Sequence, residues 1–508
     1  MGFFKSPFRR SHARLLHLRD PVEGMPLPEL IALCLQKMMA SGVLERASRS
    51  PIYGPLWQAA GIDPIQIRTY RDFASIPFAT SGFLRERLRD TPPGELARDA
   101  DVRFWVSTSG TTGQPKWIPV GERDIASIMD TAKRMVFTAI DPAGDLSFLA
   151  LSTPAPFVSE SWSYLAIFMY MLENIPANAA MFALPESMDA MRFARKAKSR
   201  TLYAFPSIAT LIAEQVEQRA AAEAKQLFIN KKNLRNFLAM LVTRVVHVKA
   251  KHVFRLRRGI LVGEPLAPYN RDLKRSFAME AFEAYGSTES ANVGIIECDR
   301  HQGMHLPLDC CLPEIIPDAE LEWERDDPAF HPQAIPIWAA RPGLVGELVL
   351  TNFTEAFPLI RYRTSDLVRV ESTEPCACGR THPRIRILHR CDDIINLGLI
   401  RFSIYLLKSK LEAVRVNGRI GQWRLRLTRE GVKPKMLLEI KPAQIDAIDA
   451  LRQEIRERID EIEGVAQARK NGLIAEPEIR FVEAIHDDRG QSGKDKLVIY
   501  EPAYFDKA

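Results

Sequence analysis

No stretch of this 508-residue chain reads as a bilayer span, which needs about 18 consecutive apolar residues. The apolar stretch from Phe168 to Leu184 is broken by Glu173, Asn174, Pro176 and Asn178, so it reads as buried core. Cysteine is scarce, at seven residues, an odd number in so long a chain and too few for a disulfide scaffold. No apolar signal core stands near the start, and the short Met1-Gly2…Ser6 pattern carries little weight as a myristoylation signal. These absences predict a reducing, cytoplasmic setting. Neither sign of charge dominates: 69 Lys+Arg stand against 63 Asp+Glu, a net charge of +6. That mild surplus suits an anionic ligand, predicts no nucleic-acid partner, and leaves the basic clusters as solvated helix faces. Internal repeats are absent.

What is present is an ordinary globular composition, 46% hydrophobic and 26% charged. At about 100–200 residues per domain, the length predicts roughly two to four structural units. Leu27 to Ser41 carries a helical apolar stripe of Leu30, Ile31, Cys34, Leu35, Met38 and Met39. From Val102 onward, short apolar runs at Phe148–Leu151, Thr201–Phe205, Gly259–Val262, Ala281–Ala284 and Gly346–Leu350 read as strands, with helical stretches between several of them. Such alternation predicts mostly parallel sheets covered on both faces. Residues 220–251, rich in Ala, Lys and Arg, read as a long surface helix or helix pair. After Arg390 the texture changes to alternating strands and one amphipathic helix, which places a domain boundary there: a large body over 1–390 and a small α+β unit over 391–508.

The most informative segment is Val106-Ser107-Thr108-Ser109-Gly110-Thr111-Thr112-Gly113-Gln114-Pro115-Lys116. Two glycines allow close backbone approach, and consecutive N–H groups and hydroxyls form a concavity that suits polyphosphate. It is not a Walker A loop, because the G-x-x-x-x-G-K-[ST] spacing is absent. The stretch resembles the phosphate loop of the AMP-forming adenylate-ligase superfamily of acyl-CoA synthetases, luciferases and peptide-synthetase adenylation domains. Further segments resemble that superfamily's motifs in order: Gly263-Glu264-Pro265, Tyr285-Gly286-Ser287-Thr288-Glu289, Arg361 through Leu367, Arg390-Cys391-Asp392-Asp393 and Ser492-Gly493-Lys494. Within it the chain is similar to the phenylacetate–CoA ligase branch. That likeness rests on Tyr70-Arg71-Asp72-Phe73, Ile76-Pro77-Phe78, Cys298…Gly303-Met304-His305…Asp309, Pro313-Glu314-Ile315-Ile316, Arg361-Tyr362-Arg363 and Cys376-Ala377-Cys378-Gly379-Arg380.

The resemblance implies an α/β fold, with a large N-terminal body of mixed and parallel sheets and a small mobile C-terminal α+β lid. It implies ATP-dependent adenylation of a small aryl or short acyl carboxylic acid, then acyl transfer to coenzyme A. Ser107, Thr108, Ser109, Gly110, Thr111, Thr112, Gly113 and Lys116 would hold phosphates. Gly263, Glu264, Pro265, Tyr285 and Gly286 would face adenine, and Asp366 and Arg390 the ribose. Catalysis would fall to Lys494, with Lys496 its rival, to Thr288 at the α-phosphate, and to Glu289 as a Mg²⁺ ligand, since a hard cation takes carboxylate oxygens. Asp392 would be the pivot of the lid.

Cys298, His305, Cys376 and Cys378 make a Cys₃His set, an ordinary one for tetrahedral structural zinc, with His301 an alternative to His305. Zinc-bearing members of the resembled branch share the pattern. Cys34, Cys310, Cys311 and Cys391 read as core or hinge residues, and no base partner marks a catalytic cysteine. Pro154–Phe157, Tyr203–Ser207 and Gly286 are candidate walls of the acid pocket. The chain departs from the family's pattern at Ile394–Gly398, one residue short where the second substrate enters, at Ser365, and in the 220–251 segment. Transfer to an amine or a carrier-protein thiol therefore stays open beside CoA, as does a non-catalytic nucleotide sensor. A second copy of the chain stays open as a partner.

Overall fold

Strand direction in this protein follows the length of the connections. The computed structural model describes residues 20–96, 101–107, 116–139, 147–152, 178–183, 193–206, 208–210, 212–213, 215–217, 249–263, 266–290, 294–327, 329–390, 394–397, 400–416, 420–430, 433–442, 447–462, 464–485 and 498–500. The candidate residues Thr108, Ser109, Gly110, Thr111, Thr112, Gly113, Glu264, Pro265 and Lys494 lie outside these residues, as do Pro154–Phe157, Asp392 and most of 220–251. The chain divides into two units, Met1–Leu388 and His389–Ala508.

In the first unit β1 (Val102–Ser107) and β2 (Trp117–Gly121) pair as an antiparallel ribbon on either side of the Ser/Thr/Gly loop. A twelve-stranded sheet forms the rest of the β-structure. One half contains β3 (Ser147–Ser152), β4 (Asn178–Ala183), β5 (Thr201–Ala204), β6 (Arg258–Val262) and β7 (Glu280–Tyr285), in the order β4-β3-β5-β6-β7, all parallel. These strands are joined by long connections, as parallel neighbours require. Their sequences suit burial on both faces: Gly259, Ile260, Leu261 and Val262 are all buried.

Beyond β7 the sheet continues through β8 (Ile295–Glu297), β9 (Met304–His305), β14 (Arg384–Arg390), β13 (Tyr362–Ser372), β12 (Val345–Asn352), β10 (Cys311–Pro317) and β11 (Ile335–Pro336). Here the recorded pairings are antiparallel. The expectation of mostly parallel sheets therefore holds for one half only. Connections such as those from β7 to β8 and β8 to β9 are too short for a crossover, so the chain turns back on itself.

The N-terminal helices cover this antiparallel half. Leu30, Cys34 and Met38 of helix Leu27–Ala40 repeat at i, i+4, i+8 and are fully buried in the same core as Leu312 and Ile315 of β10. The span Leu27–Arg49 is apolar enough by composition to cross a membrane. It is two helices rather than one, broken at Gly42, whose φ of +66° ends the first and starts the second. Val43, Leu44 and Ala47 of the second helix join the same core.

The second unit has its own core. β17 (Gln422–Glu430) and β18 (Lys433–Lys441) form a hairpin flanked in parallel by β20 (Val498–Tyr500) and β19 (Glu478–Phe481), giving the order β19-β18-β17-β20. β15 (Ile394–Leu397) and β16 (Ile400–Ser403) form a separate ribbon. Leu451, Ile455 and Ile459, one stripe of helix Ile448–Asp460, are buried with Leu425, Leu427 and Leu438.

Candidate active site

In a parallel sheet, ligands sit beyond the carboxyl ends of the strands. At that edge β5, β6 and β7 run into Phe205, Gly263 and Gly286 in turn. Gly263 has φ +81°, and a Cβ there would lie 2.3 Å from Cε1 of Phe205. Any larger residue would both strain the backbone and clash with a fully buried ring, so the turn after β6 admits only glycine. Phe205 and Tyr203, candidate walls of an acid pocket, are buried in the core.

Glu283 of β7 holds the next residue of that turn region: its Oε1 accepts the backbone N–H of Leu266 at 3.0 Å. Burial pushes the Glu283 carboxyl up to about 7, opposed by that hydrogen bond and reinforced by the neighbouring Glu297. Its folded pKa thus exceeds the ordinary value of 4.5, so between pH 4.5 and about 7 the folded chain holds a proton that the unfolded chain releases. Stability falls as pH rises through that window, and the full penalty persists above it. Glu283→Gln keeps an acceptor for Leu266 and removes the penalty, on the order of 3 kcal/mol. The variant is expected to melt several degrees higher than wild type at pH 8, with the gap closing towards pH 5 in thermal melts across pH.

Two residue groups come together past the end of β7. The Tyr285 hydroxyl donates to Oδ2 of Asp366 at 2.6 Å, which ties the aromatic ring to the carboxylate expected at the ribose. Asp366 stands on β13 beside an irregularity in the β12–β13 register. There Ser365 adopts φ +61°, a left-handed conformation that glycine takes without strain. Ser365 is held by its N–H to Oε1 of the buried Glu347 at 2.9 Å, while Arg363 donates to Oε2 of the same carboxylate at 2.7 and 2.9 Å.

The second group surrounds Glu289. The Lys116 ammonium lies 2.5 Å from Glu289 Oε1, with the side chains only 6% and 11% exposed. Lys116, the residue before β2, therefore turns inward rather than lying at the surface. It also donates to Ser81 Oγ at 2.9 Å and stands 6.0 Å from the centre of the Tyr362 ring. The Tyr362 hydroxyl donates to the same Oε1 at 3.4 Å. Nothing among the described residues bonds Oε2. Thr288 is buried beside it. The turn is closed by Ser290 N–H donating to Ser287 Oγ at 3.2 Å. Ser107 ends β1, and Arg390 ends β14 exposed, in the second unit.

A third cluster gathers Cys298, His305, Cys376 and Cys378, whose ligand atoms all lie within 4.8 Å of one another. Cys298 follows β8, His305 ends β9, and the two remaining cysteines sit in a turn closed by Gly379 N–H to Cys376 O at 2.9 Å, with Gly379 at φ +95°. The separations Cys298 Sγ to Cys376 Sγ of 3.7 Å and Cys378 Sγ to His305 Nε2 of 3.6 Å are tetrahedral edges. Zinc–sulfur bonds of about 2.3 Å and zinc–nitrogen bonds of about 2.0 Å require edges of roughly 3.5–3.8 Å. Burial lowers the pKa of His305, keeping the imidazole neutral, the form that ligates. Hydrogen bonds with Cys378 and then His305 pull the Cys298 thiol below its ordinary value, towards the thiolate that ligates. The donor set thus fits a tetrahedral cation. His301 is turned elsewhere: its ring nitrogens face Glu297 at 3.0 Å and Glu280 at 3.5 Å. Hydrogen bonds to those carboxylates push it up to about 10.

Behind this cluster lies a buried ion network that sequence reasoning did not identify. Arg380 donates to Glu23 at 2.8 Å and to Thr138 Oγ1 at 2.9 Å. Arg134 donates to both oxygens of Asp309, at 3.1 and 2.6 Å, and lies 3.3 Å from Glu23. Two cations and two carboxylates balance, as buried charge requires. The sequence signals were Asp309 and Arg380, each quoted within a motif, while Glu23 and Arg134 carried none.

A family model described as AMP-binding enzyme matches residues 54–328, more than half of the chain. A phenylacetate-coenzyme A ligase of Thermus thermophilus is 25% identical over 439 residues, which cover 83% of this chain and 84% of that protein. The fold resembles a solved 2-hydroxyisobutyryl-CoA ligase in the postadenylation state, with TM-score 0.70 and 20% identity, over 95% of this chain and 91% of that one. It also resembles an acyl acid amido synthetase, with TM-score 0.64 and 13% identity, over 95% of this chain and 90% of that one.

Proposed function

The chain belongs to the AMP-binding enzyme family, and from that premise we propose that it joins ATP to a carboxylic acid and passes the acyl group to coenzyme A. The observation that carries the reading is the pairing of Tyr285 with Asp366 and of Lys116 with Glu289 past the carboxyl end of β7. On this reading the Tyr285 ring on β7 would face adenine, Asp366 on β13 would accept from the ribose, and Glu289 in the turn between β7 and β8 would hold magnesium.

In the first half-reaction a carboxylate oxygen of the acid attacks the α-phosphorus of ATP, and the bond to the bridging oxygen breaks to release pyrophosphate. Two anions meet in this step, so positive charge must be fixed where negative charge develops. Magnesium would be held by Glu289 and would offset phosphate charge. The Thr108–Gly113 backbone would cradle the β- and γ-phosphates, and the Thr288 hydroxyl would donate to the α-phosphate. Lys494, on the unit that begins at His389, would reach the acid carboxylate and the α-phosphate as that unit closes like a lid pivoting at Asp392. In the second half-reaction the CoA sulfur attacks the acyl carbonyl and AMP leaves.

The CoA ligase relative supports coenzyme A as the acceptor. The amido synthetase likeness supports keeping an amine as the second reading. With an acid that turns over, the product separates them: a thioester that forms only with CoA supports the first, and an amide formed with an amine donor in the presence of CoA overturns it.

Zinc would be bound by Cys298, His305, Cys376 and Cys378, where it would tie the β8–β9 turn to the turn before β14. Purified protein is expected to carry about one zinc per chain by elemental analysis, and Cys376→Ser to lose most of it and melt lower. Folded wild type without metal would contradict this role.

A further inference from the structure

We propose that Ser81, in the N-terminal helical region, is a positioning residue of the adenylation step, acting through Lys116 on the carboxylate of Glu289. The proposal rests on the reading of Glu289 as the magnesium carboxylate and adds a residue that no motif contains. Ser81 opens the helix Ser81–Asp90, which Thr80 caps by accepting the N–H of Phe83 at 3.2 Å. Its Oγ accepts from Lys116 at 2.9 Å, and the same ammonium is 2.5 Å from Oε1 of Glu289. Tyr362 donates to that oxygen too. Both of these donors converge on Oε1, which orients the carboxylate and leaves Oε2 as the oxygen presented to a cation.

The segment before Ser81 is built to hold this position. Ala79 pairs with β13 across Tyr362: its N–H donates to Arg361 O at 3.0 Å, and its carbonyl accepts from Arg363 N–H at 2.9 Å. The Arg361 guanidinium binds the carbonyls of Ala74 and Ile76 and lies 4.1 Å from the centre of the Phe78 ring. Ser81 is therefore fixed two residues beyond a bridge to the strand that carries Tyr362 and Asp366. A hydroxyl placed so rigidly limits where the Lys116 ammonium rests, and through it which face Glu289 turns outward. Without it, a four-carbon stem has several rotamers in which the ammonium would compete with the cation for the carboxylate.

The test is Mn²⁺ as a spectroscopic probe. Binding of Mn²⁺·ATP to the full chain is followed by electron paramagnetic resonance for wild type, Ser81→Ala, Ser81→Thr and Glu289→Gln, with thermal midpoints recorded alongside. Loss of one hydrogen bond to a charged group is expected to weaken Mn²⁺·ATP binding about five-fold in Ser81→Ala. Metal-free ATP binding and the midpoint should stay near wild type, and Ser81→Thr, which keeps the hydroxyl, should restore affinity. Weakening in Glu289→Gln with unchanged affinity in Ser81→Ala would overturn the role of Ser81 alone. Unchanged affinity in Glu289→Gln would overturn the underlying assignment of the carboxylate. A loss in Ser81→Ala that Ser81→Thr does not restore would make Ser81 a packing residue and overturn its positioning role.

Discussion

Arg361→Met is expected to destabilise the first unit by about 3–5 kcal/mol, read as a lower denaturant midpoint at unchanged slope. Arg361 and Glu314 are 3% and 0% exposed, and the guanidinium meets both carboxylate oxygens at 3.0 Å. Tyr70 donates to Glu314 Oε1 at 2.8 Å, and burial together with that carboxylate pushes the Tyr70 hydroxyl well above its usual range, so it remains a donor. Among the described residues, removing the arginine leaves the core carboxylate with only the Tyr70 phenol bonded to it. Adding Glu314→Gln neutralises the orphaned charge while preserving an acceptor for Tyr70, so the double variant should recover much of the loss. A single variant as stable as wild type would show that this pair does not anchor the N-terminal helices to β10 and β13.

Lys494→Ala is expected to reduce acid-dependent pyrophosphate release about 10²–10³-fold, the effect of removing one charge aimed at a developing anion. Its assignment follows from the sequence Ser492-Gly493-Lys494, in which the lysine directly follows a glycine. Lys496→Ala should stay close to wild type. ATP binding should survive in Lys494→Ala, because Tyr285, Asp366, Glu289 and the Ser/Thr/Gly segment, which would hold most of the nucleotide, belong to the other unit. Equal loss in both variants, or none in either, would contradict the assignment.

How much of this was legible in the sequence depends on the distance over which each contact acts. Tyr285, Thr288 and Glu289 lie within one strand end and its turn, so a local pattern suffices to group them. Gly263 was legible for the same reason, since its positive φ is a requirement of one turn, whereas the Phe205 ring against it follows another strand. The parallel strands β5, β6 and β7 were legible as apolar runs joined by long connections. The antiparallel half was not, because short apolar runs such as Ile295–Glu297 carry no record of direction. Lys116 illustrates the intermediate case. Its position after proline allowed a surface lysine as easily as a buried one, and only the placement of Glu289 and Ser81 decides which it is.

Contacts far apart along the chain were beyond reading. Tyr70, Glu314 and Arg361 each stood in a recognised motif, yet nothing local says that one carboxylate serves both of the others. Glu23 joins Arg134 and Arg380 across still longer separations, and a lone glutamate near the start of a chain looks like any solvated one. Ser81 is the extreme example, a small polar residue at a helix start whose significance lies entirely in the ammonium it receives.

The most direct test of the account is pyrophosphate release by the wild-type chain with ATP and Mg²⁺, across aryl, short-chain, fatty and amino acids, with hydroxylamine to trap an acyl-adenylate. The account predicts release that requires one class of carboxylic acid and yields the matching hydroxamate. ATP bound by the folded chain, with no acid-dependent release from any of these classes, would contradict it and leave a nucleotide-binding protein without ligase chemistry.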